Sequence, residues 1–426
     1  MSYDSVRMDE QIRVLEPSIQ AFITRYNVVS ASSPPSPRQT LFLFPGGMAS
    51  KLKRATRAWN PSGPNSQVFN YEELWGEILG LLGGAARDLR MEKTKAGGYR
   101  DKRSYIIVAD GLANVFGFTP YMVFSLWCTV KKIDLFVFPW DWRRSVDDVG
   151  RFFVDRFLPH FQERVQNGCN NADPLADYSL IGHSAGGMVV NWILRNVTLP
   201  GTLRKAITVA APFYGYGGQL HRWFEGDELV NMGGLFTKGV IKALSSFPGC
   251  YSWHFLPESF YTANQLAFQN DAAYPLPSYP SVDAATGNSV DPYNPLPPGK
   301  RYPTPTQSGF DSGELAKAAT LFAQLTSPLS PAQAAKFVNI RGDTTTNNTF
   351  STTTWQLVPP ILPSPIGDSS LAPGDGTQPA WTTRDIGLAQ QVPGNVITVT
   401  GGDTAHLIIL DSPQTIAQVA AVLGIP

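Results

Sequence analysis

One serine in the chain has neighbours that suit it to nucleophilic attack. Ser184 lies in the sequence Gly-His-Ser-Ala-Gly (182–186), after an apolar run and before an apolar-periodic stretch, 188–194. A serine presented on a sharp strand-to-helix turn needs small neighbours, and Gly182 and Gly186 remove side chains that would collide there. The helix start also offers backbone N–H groups to a developing oxyanion. The pattern predicts a nucleophile elbow, with an ordinary structural turn as the alternative.

The predicted elbow needs a base, because a serine hydroxyl at its ordinary pKa is a weak nucleophile. In folds with this elbow, the acid and then the histidine follow the serine along the chain. Of the five histidines, only His406 lies in the final segment, directly after the apolar run 396–400. His406 is therefore the predicted base, with a surface-loop histidine as the alternative. His183 is predicted to pack beside the elbow. His221 and His254 fall in the segment predicted to be a lid, where contact with substrate is one interpretation and an ordinary surface position is the favoured one.

The acid that would orient His406 has several candidates after the apolar run 337–340. Asp375 lies in the glycine-flanked sequence Pro-Gly-Asp-Gly-Thr, a tight loop that suits a carboxylate aimed into a site. The usual position of the acid, soon after the preceding strand, favours Asp343 instead. Asp403 is too near His406 in sequence and is predicted to form a turn. These residues favour Asp375 and leave Asp343 open. The full set is Asp343, Asp368, Asp375, Asp385 and Asp403.

An oxyanion-binding pair is predicted from two separate segments. In this fold one donor is the backbone N–H of the residue after the serine, here Ala185. The second comes from the loop after an early strand, which corresponds to Phe-Pro-Gly-Gly-Met at 44–48. Its glycines let the backbone approach an oxygen closely, so the N–H of Gly47 or Met48 is the candidate.

Short apolar runs alternate with helical patterns along the chain. Continuous apolar strands that alternate with helices favour a mostly parallel sheet covered on both faces. Together with the elbow, this predicts an α/β-hydrolase fold, a mostly parallel central sheet flanked by helices, with an inserted cap or lid. The helical patterns lie at 149–165 and 188–196. The predicted strands are 40–44, 104–108, 133–138, 178–181, 206–210, 337–340 and 396–400.

The alternation of strands and helices, and the segment that interrupts it, divide the chain into three predicted parts. Residues 1–212 form the first part of the core, with an insertion at about 51–100, and 331–426 form the second part, carrying the acid and the histidine. The aromatic and then proline-rich segment 213–330 is predicted to be a cap or lid, since a structureless loop of that length is improbable in a core. A flexible surface insertion is the alternative. The Thr- and Asn-rich tract 344–354 is predicted to be a loop.

Composition excludes some partners. Of the 426 residues, 34 are Lys or Arg and 34 are Asp or Glu, so the formal net charge is zero. Nucleic-acid binding needs a basic excess, so it is not expected, and electrostatic membrane docking is not supported either. Transient contact of an apolar patch with a lipid surface stays open.

The N-terminus and the cysteines bear on the compartment. Residues 1–19 mix charges throughout and contain no apolar core of a signal peptide, and no window approaches a membrane span. We therefore expect a cytoplasmic protein without a transmembrane segment, secretion after removal of a leader being the alternative. The chain has three cysteines, Cys128, Cys169 and Cys250. This number and spacing favour neither a disulfide framework nor a zinc site, and an odd count predicts at least one cysteine outside any disulfide.

The chain as a whole resembles the lecithin–cholesterol acyltransferase-like family of α/β-hydrolases. The resemblance implies a lipase, phospholipase or acyltransferase with Ser184, Asp375 and His406 as its triad, since 374–377 corresponds to the acid motif of that family. The chain departs from the family's secreted members, which carry a signal peptide and a disulfide-closed lid, and the segments 51–100 and 265–335 match nothing. The similar segments occur in the same order and are 43–52, 138–143, 182–187, 211–218, 246–251, 256–257, 374–377 and 406–410.

The function expected from these residues is hydrolysis of hydrophobic carboxylic esters through an acyl-enzyme on Ser184. Such a lipase- or esterase-like reaction needs no metal or organic cofactor, and its partner is a hydrophobic acyl-ester small molecule or a lipid. The alternatives are a lipid acyltransferase using the same triad, a lactone, polyester or amide hydrolase, and a non-catalytic binding protein. The predicted substrate-contacting residues, for which packing is the alternative, are Phe213, Tyr214, Tyr216, Trp223 and Phe224.

Overall fold

The computed structural model describes residues 3–32, 39–58, 68–75, 86–95, 99–102, 105–114, 119–170, 172–215, 242–294, 311–346, 349–355 and 369–426. Fourteen strands lie in these ranges. They are β1 (Thr40–Phe44), β2 (Ser50–Ala58), β3 (Val68–Trp75), β4 (Glu92–Lys93), β5 (Tyr99–Arg100), β6 (Ile106–Leu112), β7 (Asp134–Val137), β8 (Tyr178–His183), β9 (Leu203–Val209), β10 (Ser281–Asp283), β11 (Phe337–Asp343), β12 (Thr349–Trp355), β13 (Ser369–Ala372) and β14 (Val396–Thr400).

The helices of the same ranges vary from single turns to eight turns. Between Val146 and Gly168, one turn of π-helix (Phe153–Phe157) joins two α-helical stretches. Short 3₁₀ turns lie at Pro393–Asn395, Gly402–Thr404 and Ile409–Asp411. The α-helices are Tyr3–Ser32, Ala86–Leu89, Met122–Val130, Val146–Phe152, Leu158–Gly168, Ala185–Asn196, Pro248–Ser252, Glu258–Ala263, Gln265–Gln269, Ser312–Leu325, Pro331–Lys336, Ile386–Gln391 and Pro413–Leu423.

Six parallel strands form the central sheet, in the order β7-β1-β8-β9-β11-β14. Side chains alternate between its faces, so Phe42 and Phe44 of β1 pack on one side and Leu41 and Leu43 on the other. Helices cover both faces, which explains why the central strands β1 and β8 are buried along their whole length. The predicted α/β-hydrolase fold, a mostly parallel sheet flanked by helices, is confirmed.

The order of strands contains one reversal that positions the site. From β1 the chain crosses to β7 on one side and then returns to β8 on the other, after which each new strand adds outward from β8. The connection that leaves β1 therefore leads toward one edge of the sheet, and the connection that leaves β8 leads toward the other edge. In open parallel sheets, ligands bind beyond the carboxyl ends of the strands at such a switch point. The predicted elbow follows β8, and the predicted oxyanion loop follows β1.

One predicted strand belongs to a different sheet. The run 104–108 was expected in the parallel sheet, but β6 pairs antiparallel with β2 in the three-stranded order β3-β2-β6. An apolar run predicts a buried strand without specifying its partner, and here β2 and β3, from the predicted insertion, provide one. The long helix Tyr3–Ser32 covers this sheet, and the Gln11 amide bonds both the N–H and the carbonyl of Ala109 at 2.7 and 2.8 Å.

The predicted loop 344–354 is a second error, because Thr349–Trp355 is strand β12. It lies between β10, to which it is parallel, and β13, to which it is antiparallel. Threonine is β-branched and suits a strand. The composition of this tract therefore fits a loop or a strand, and the neighbouring strands β10 and β13 decide between them. The excursion through β12 and β13 separates β11 from Asp375 in sequence, and this separation matters for the site.

The described parts of the segment 213–330 contact the core closely. The helix Ser312–Leu325 packs along the helix Ala185–Asn196 that follows the predicted elbow. Asn191 donates to the Leu325 carbonyl at 3.0 Å, and the Trp192 indole donates to Gln324 at 2.7 Å. These bonds fix one end of the predicted cap against the sheet.

The cysteines and the helices bear on the expectations about disulfides and a membrane span. All three cysteines, Cys128, Cys169 and Cys250, lie buried as thiols. In the part of the chain that the structure describes, no helix combines the length and the apolar character that crossing a bilayer requires.

A buried ionic cluster joins the region before β6 to the segment 138–143. The Arg143 guanidinium donates to Asp101 at 2.7 Å, to Asp141 at 2.7 and 2.9 Å, and to the Leu89 carbonyl at 2.9 Å. Burial alone would raise the pKa of Asp141, but Arg143, Arg144 and Arg7 hold it below its ordinary value. A buried charge is tolerated only when it is paired and hydrogen-bonded, so the cluster must form as a unit.

The substitution Asp101→Asn should lower the free energy of unfolding by roughly 3 kcal/mol, because it leaves Arg143 buried with part of its compensating charge removed. Denaturant titration followed by circular dichroism measures this loss. The matched control is Asp9→Asn, whose ion pair with Arg156 is nearly half exposed on both sides and should contribute less than about 1 kcal/mol. Equal losses in the two variants would contradict the assignment.

Candidate active site

Ser184 occupies a strained turn between β8 and the helix Ala185–Asn196. Its backbone has φ 53° and ψ −128°, a conformation that residues with a side chain rarely adopt. Two backbone hydrogen bonds of 2.8 Å hold it: Ser184 N–H donates to the Val209 carbonyl of β9, and Gly187 N–H donates to the Ser184 carbonyl. The predicted strand–turn–helix elbow is thus present, with the serine at its tip.

Glycines make this turn possible for a measurable reason. A Cβ on Gly182 would lie 2.3 Å from the Gly186 carbonyl oxygen, and one on Gly186 would lie 2.2 Å from the Phe44 carbonyl oxygen. Both distances are far below a normal contact, so any side chain would push the turn apart. The second contact also presses the elbow against the end of β1, where the loop 45–48 begins.

His406 and Asp375 form a buried pair at the same edge of the sheet. His406 lies after β14, and its Nδ1 is 2.7 Å from Asp375 Oδ2. An ionised carboxylate only accepts hydrogen bonds, so Nδ1 carries the proton and Nε2 is left as the acceptor. The other carboxylate oxygen of Asp375 accepts the backbone N–H groups of Thr377 and Gln378 at 3.0 and 2.6 Å. These bonds fix the carboxylate and, through it, the ring of His406.

The excursion after β11 explains why Asp375 rather than Asp343 meets the histidine. Thr344 N–H donates to the Gly374 carbonyl at 2.8 Å and so closes the excursion, bringing Asp375 back beside β11. His406 N–H adds a bond of 2.8 Å to the Asp375 carbonyl. Asp343 instead accepts the Thr345 N–H and the Tyr274 hydroxyl at 2.8 and 2.7 Å. Its carboxylate is therefore engaged in a turn and a tyrosine contact.

The other aspartate candidates have structural partners or fall outside the description. Asp385 pairs with Arg195 and caps the helix Ile386–Gln391 by accepting the Leu388 N–H at 2.8 Å. Asp403 lies in the 3₁₀ turn Gly402–Thr404, in accordance with the predicted turn, and Asp368 lies outside the described residues.

A second histidine links the elbow to His406. The ring of His183 lies 4.8 Å from that of His406, centroid to centroid, and its Nδ1 lies 2.9 Å from the Tyr121 hydroxyl oxygen. Burial and the neighbouring His406 lower the pKa of His183 well below its ordinary value, so this ring stays neutral. Burial raises the pKa of Tyr121, so its hydroxyl stays protonated and shares a hydrogen bond with His183 Nδ1. His183 therefore packs beside the elbow, between Tyr121 and His406.

The loop 45–48, which is predicted to bind the oxyanion, lies against the start of the helix Ala185–Asn196. A Cβ on Gly47 would lie 3.5 Å from the Ala185 Cβ, so these two predicted donors belong to one small region. Met48 is held at φ 66°, and its carbonyl accepts the Trp75 indole N–H at 2.7 Å. Gly46 N–H instead donates to the Tyr121 hydroxyl at 2.9 Å, which leaves Gly47 and Met48 as the candidates in this loop.

Three residues around this loop were not assigned a role from the sequence. Tyr121 holds Gly46 and His183, and the Trp140 indole donates to the Pro45 carbonyl at 2.8 Å. Trp253 covers the loop so closely that a Cβ on Gly47 would lie 2.7 Å from its ring. Trp140 lies in the segment 138–143, where the tryptophan-rich motif was a usable signal. For Tyr121 and Trp253 the sequence offers none.

The predicted substrate-contacting residues are only partly placed. Phe213 and Tyr214 are buried and make packing contacts: Phe213 lies against Phe337, and the Tyr214 hydroxyl accepts the Ile386 N–H at 2.7 Å. Their contact with substrate stays a prediction. Tyr216, Trp223 and Phe224 lie outside the described residues, as does His221.

The surface position predicted for His254 is wrong. Its side chain is fully buried between Phe255 and Tyr293, and burial lowers its pKa to about 3. The error arose because a histidine of the predicted cap was expected at its surface, whereas this part of 213–330 packs into the core. His254 is therefore a neutral packing residue.

Comparison with known proteins gives a likeness of fold. No family model matches the chain, and no curated protein matches it in sequence. A chain of the Tle4–Tli4 complex aligns with 92% of this chain and 98% of its own length, at 13% identity and a TM-score of 0.53. The lin2722 product of Listeria innocua (13% identity, 91% and 94% covered, TM-score 0.32) and esterase E22 (12%, 89% and 89%, 0.27) score too low to bear on the fold.

The backbone of Ser184 yields a test of the elbow that does not depend on activity. Glycine adopts positive φ without steric cost, whereas alanine keeps the strain. Ser184→Gly should therefore be more stable than Ser184→Ala by about 1 kcal/mol, the strain relieved exceeding the extra chain entropy of glycine. Paired denaturant titrations measure the difference. Equal stability, or a more stable alanine variant, would show that the turn is relaxed.

Proposed function

We propose that this protein is a serine hydrolase that cleaves hydrophobic carboxylic esters through an acyl-enzyme on Ser184. The observation that carries the proposal is the 2.7 Å hydrogen bond between His406 and Asp375. The ring of His406 lies 4.8 Å from that of His183, the residue that directly precedes Ser184 on the strained elbow. Nucleophile, base and orienting acid in this chain order are the components of acyl transfer. All three side chains are at most 9% exposed, which favours electrostatic catalysis in a dry site.

The proposed mechanism follows from the proton on each atom. Because Asp375 fixes the His406 proton on Nδ1, Nε2 accepts the Ser184 proton as the hydroxyl oxygen attacks the ester carbonyl. The tetrahedral oxyanion receives hydrogen bonds from the backbone N–H of Ala185 and from Gly47 or Met48. His406 then gives its Nε2 proton to the leaving alcohol. Water, deprotonated by the same nitrogen, releases the acid and restores the hydroxyl of Ser184.

The preference for a hydrophobic acyl group is supported by the surroundings of the oxyanion loop. The Trp253 ring lies against Gly47, and Trp253 itself is buried within the segment 213–330. This placement supports the proposal that 213–330 forms a cap over the site, with an aromatic wall near the reacting carbonyl. Apolar walls favour acyl chains because burial of each CH₂ group gains about 0.8 kcal/mol.

Membership of the lecithin–cholesterol acyltransferase-like family is part of the proposal. The ordered motif segments support it, and the structure gives two of them physical roles. The segment 138–143 supplies Trp140, which holds the oxyanion loop, and the acid segment 374–377 supplies Asp375, which bonds His406. A lipid alcohol in place of water at the second step would make the enzyme an acyltransferase.

The first test is covalent labelling with a fluorophosphonate, combined with turnover of p-nitrophenyl esters of increasing chain length. We expect a single adduct on Ser184, located by peptide mapping, and turnover that rises toward long acyl chains. Ser184→Ala should lose the adduct and at least about 10⁵-fold in kcat while remaining folded. Labelling with turnover confined to short chains would contradict the hydrophobic preference. An unlabelled wild-type protein would overturn the mechanism.

A matched pair of substitutions tests which aspartate is the acid. Asp375→Asn should lower kcat by about 10⁴-fold, because an amide no longer enforces the productive tautomer of His406. Asp343→Asn, at the end of β11 and also buried, should stay within about tenfold of wild type, since its carboxylate bonds Tyr274 and Thr345 instead. The reverse ranking of the two variants would exchange their roles.

A further inference from the structure

Exposed apolar side chains are concentrated beside the candidate site. Ten large apolar residues are exposed among the described residues, and six of them lie in two adjoining segments. We call these six the apolar rim; each is between 36% and 69% exposed. Scattered exposed apolar residues are ordinary, whereas a contiguous patch marks an interaction surface. The apolar rim consists of Met122, Val123, Leu126, Val130, Leu407 and Ile408.

The helix Met122–Val130 is apolar on both of its faces. Phe124 and Cys128 point into the core, while Met122, Leu126 and Val130, spaced by four residues, form one stripe that faces solvent. An ordinary surface helix carries polar residues along that outer stripe. The apolar side chains on this face therefore need an occupant of their own.

The two segments of the rim adjoin each other and the site. Phe124 N–H donates to Asp411 at 2.9 Å, and Asp411 N–H donates to the Ile408 carbonyl at 2.8 Å. Leu407 follows His406 directly. At the other segment, the residue before the helix is Tyr121, whose hydroxyl holds Gly46 of the oxyanion loop. The rim thus lies immediately outside the residues proposed to do the chemistry.

The shape of this region favours a lipid surface over a second protein. Six side chains on one short helix and one turn are far fewer than the roughly 20–30 residues per partner of a standard protein interface. A lipid surface, in contrast, accepts a few inserted apolar side chains without matching their shape. The docking proposed here therefore depends on the apolar side chains rather than on charge, since the ammonium group of Lys131, which follows the helix, donates to the Pro426 carbonyl.

We propose that the apolar rim docks this protein on a lipid surface, so that an acyl ester in that surface reaches Ser184 directly. The proposal rests on the proposed function, because it takes the neighbouring site to be one for hydrophobic esters. It assigns the docking to the helix Met122–Val130 and to Leu407 and Ile408.

The experiment uses flotation with vesicles of phosphatidylcholine containing phosphatidylglycerol. The full-length protein should float with the vesicles, and Ser184→Ala should float equally, since docking does not require the nucleophile. The double variant Met122→Gln/Leu126→Gln should bind at least about tenfold more weakly, because two exposed side chains no longer insert. The control Leu266→Gln changes another exposed leucine, outside the rim, and should bind like wild type.

Activity separates docking from catalysis. The double variant should keep wild-type turnover of a soluble short-chain ester and lose turnover of a long-chain ester embedded in the vesicles. A wild-type protein that cleaves the soluble ester without binding vesicles would overturn the docking and leave the proposed function standing. Vesicle binding through the rim without any ester cleavage would overturn the proposed function and leave the docking standing.

Sedimentation velocity provides the remaining arm. The wild-type protein should sediment as the same species as the double variant in the absence of vesicles. A dimer that Met122→Gln/Leu126→Gln converts to a monomer would show that the rim is an interface between two copies, which would overturn the proposal.

Discussion

The contact between Gly186 and the Phe44 carbonyl is the constraint on which the rest of the candidate site depends. With no room for a Cβ there, the start of the elbow helix lies directly against the end of β1. The turn around Ser184 and the loop 45–48 are consequently packed directly against each other. Because both lie at the switch point of the sheet, His406 and Asp375 approach from one side, across the carboxyl ends of β11 and β14.

A layer of side chains behind this contact holds the loop in place. Trp140 bonds Pro45, Tyr121 bonds Gly46, and Trp75 bonds Met48, so three successive parts of the loop have a fixed partner. Each such hydrogen bond contributes only about 0.5–1.5 kcal/mol to stability. Under the proposed mechanism their larger effect is on geometry, since an oxyanion donor acts only when it already points at the oxygen before reaction.

The sequence predicts what depends on local pattern and fails where the outcome depends on distant partners. The elbow and the parallel sheet follow from glycine spacing and apolar runs. For the partner of His406, the residues alone favour Asp375 and leave Asp343 open, and the family resemblance of 374–377 implies Asp375. In contrast, the membership of β6 in a second sheet depends on β2 and β3, and the strand β12 depends on β10 and β13. Tyr121 and Trp253 carry no motif, because their positions are set by a fold that brings residues 46, 121, 183 and 253 together. The burial of His254 was missed for the same reason.

The position of β14 at the edge of the sheet has a consequence for biosynthesis. During translation β1 and β8 emerge early, so the turn around Ser184 can form while the histidine is still unmade. At about 5–20 residues per second, the interval before His406 leaves the ribosome is on the order of ten to forty seconds. Under the proposed mechanism, the nascent polypeptide thus carries Ser184 without the base that would activate it. Synthesis from the N-terminus would then keep the growing chain inactive until β14 joins the sheet.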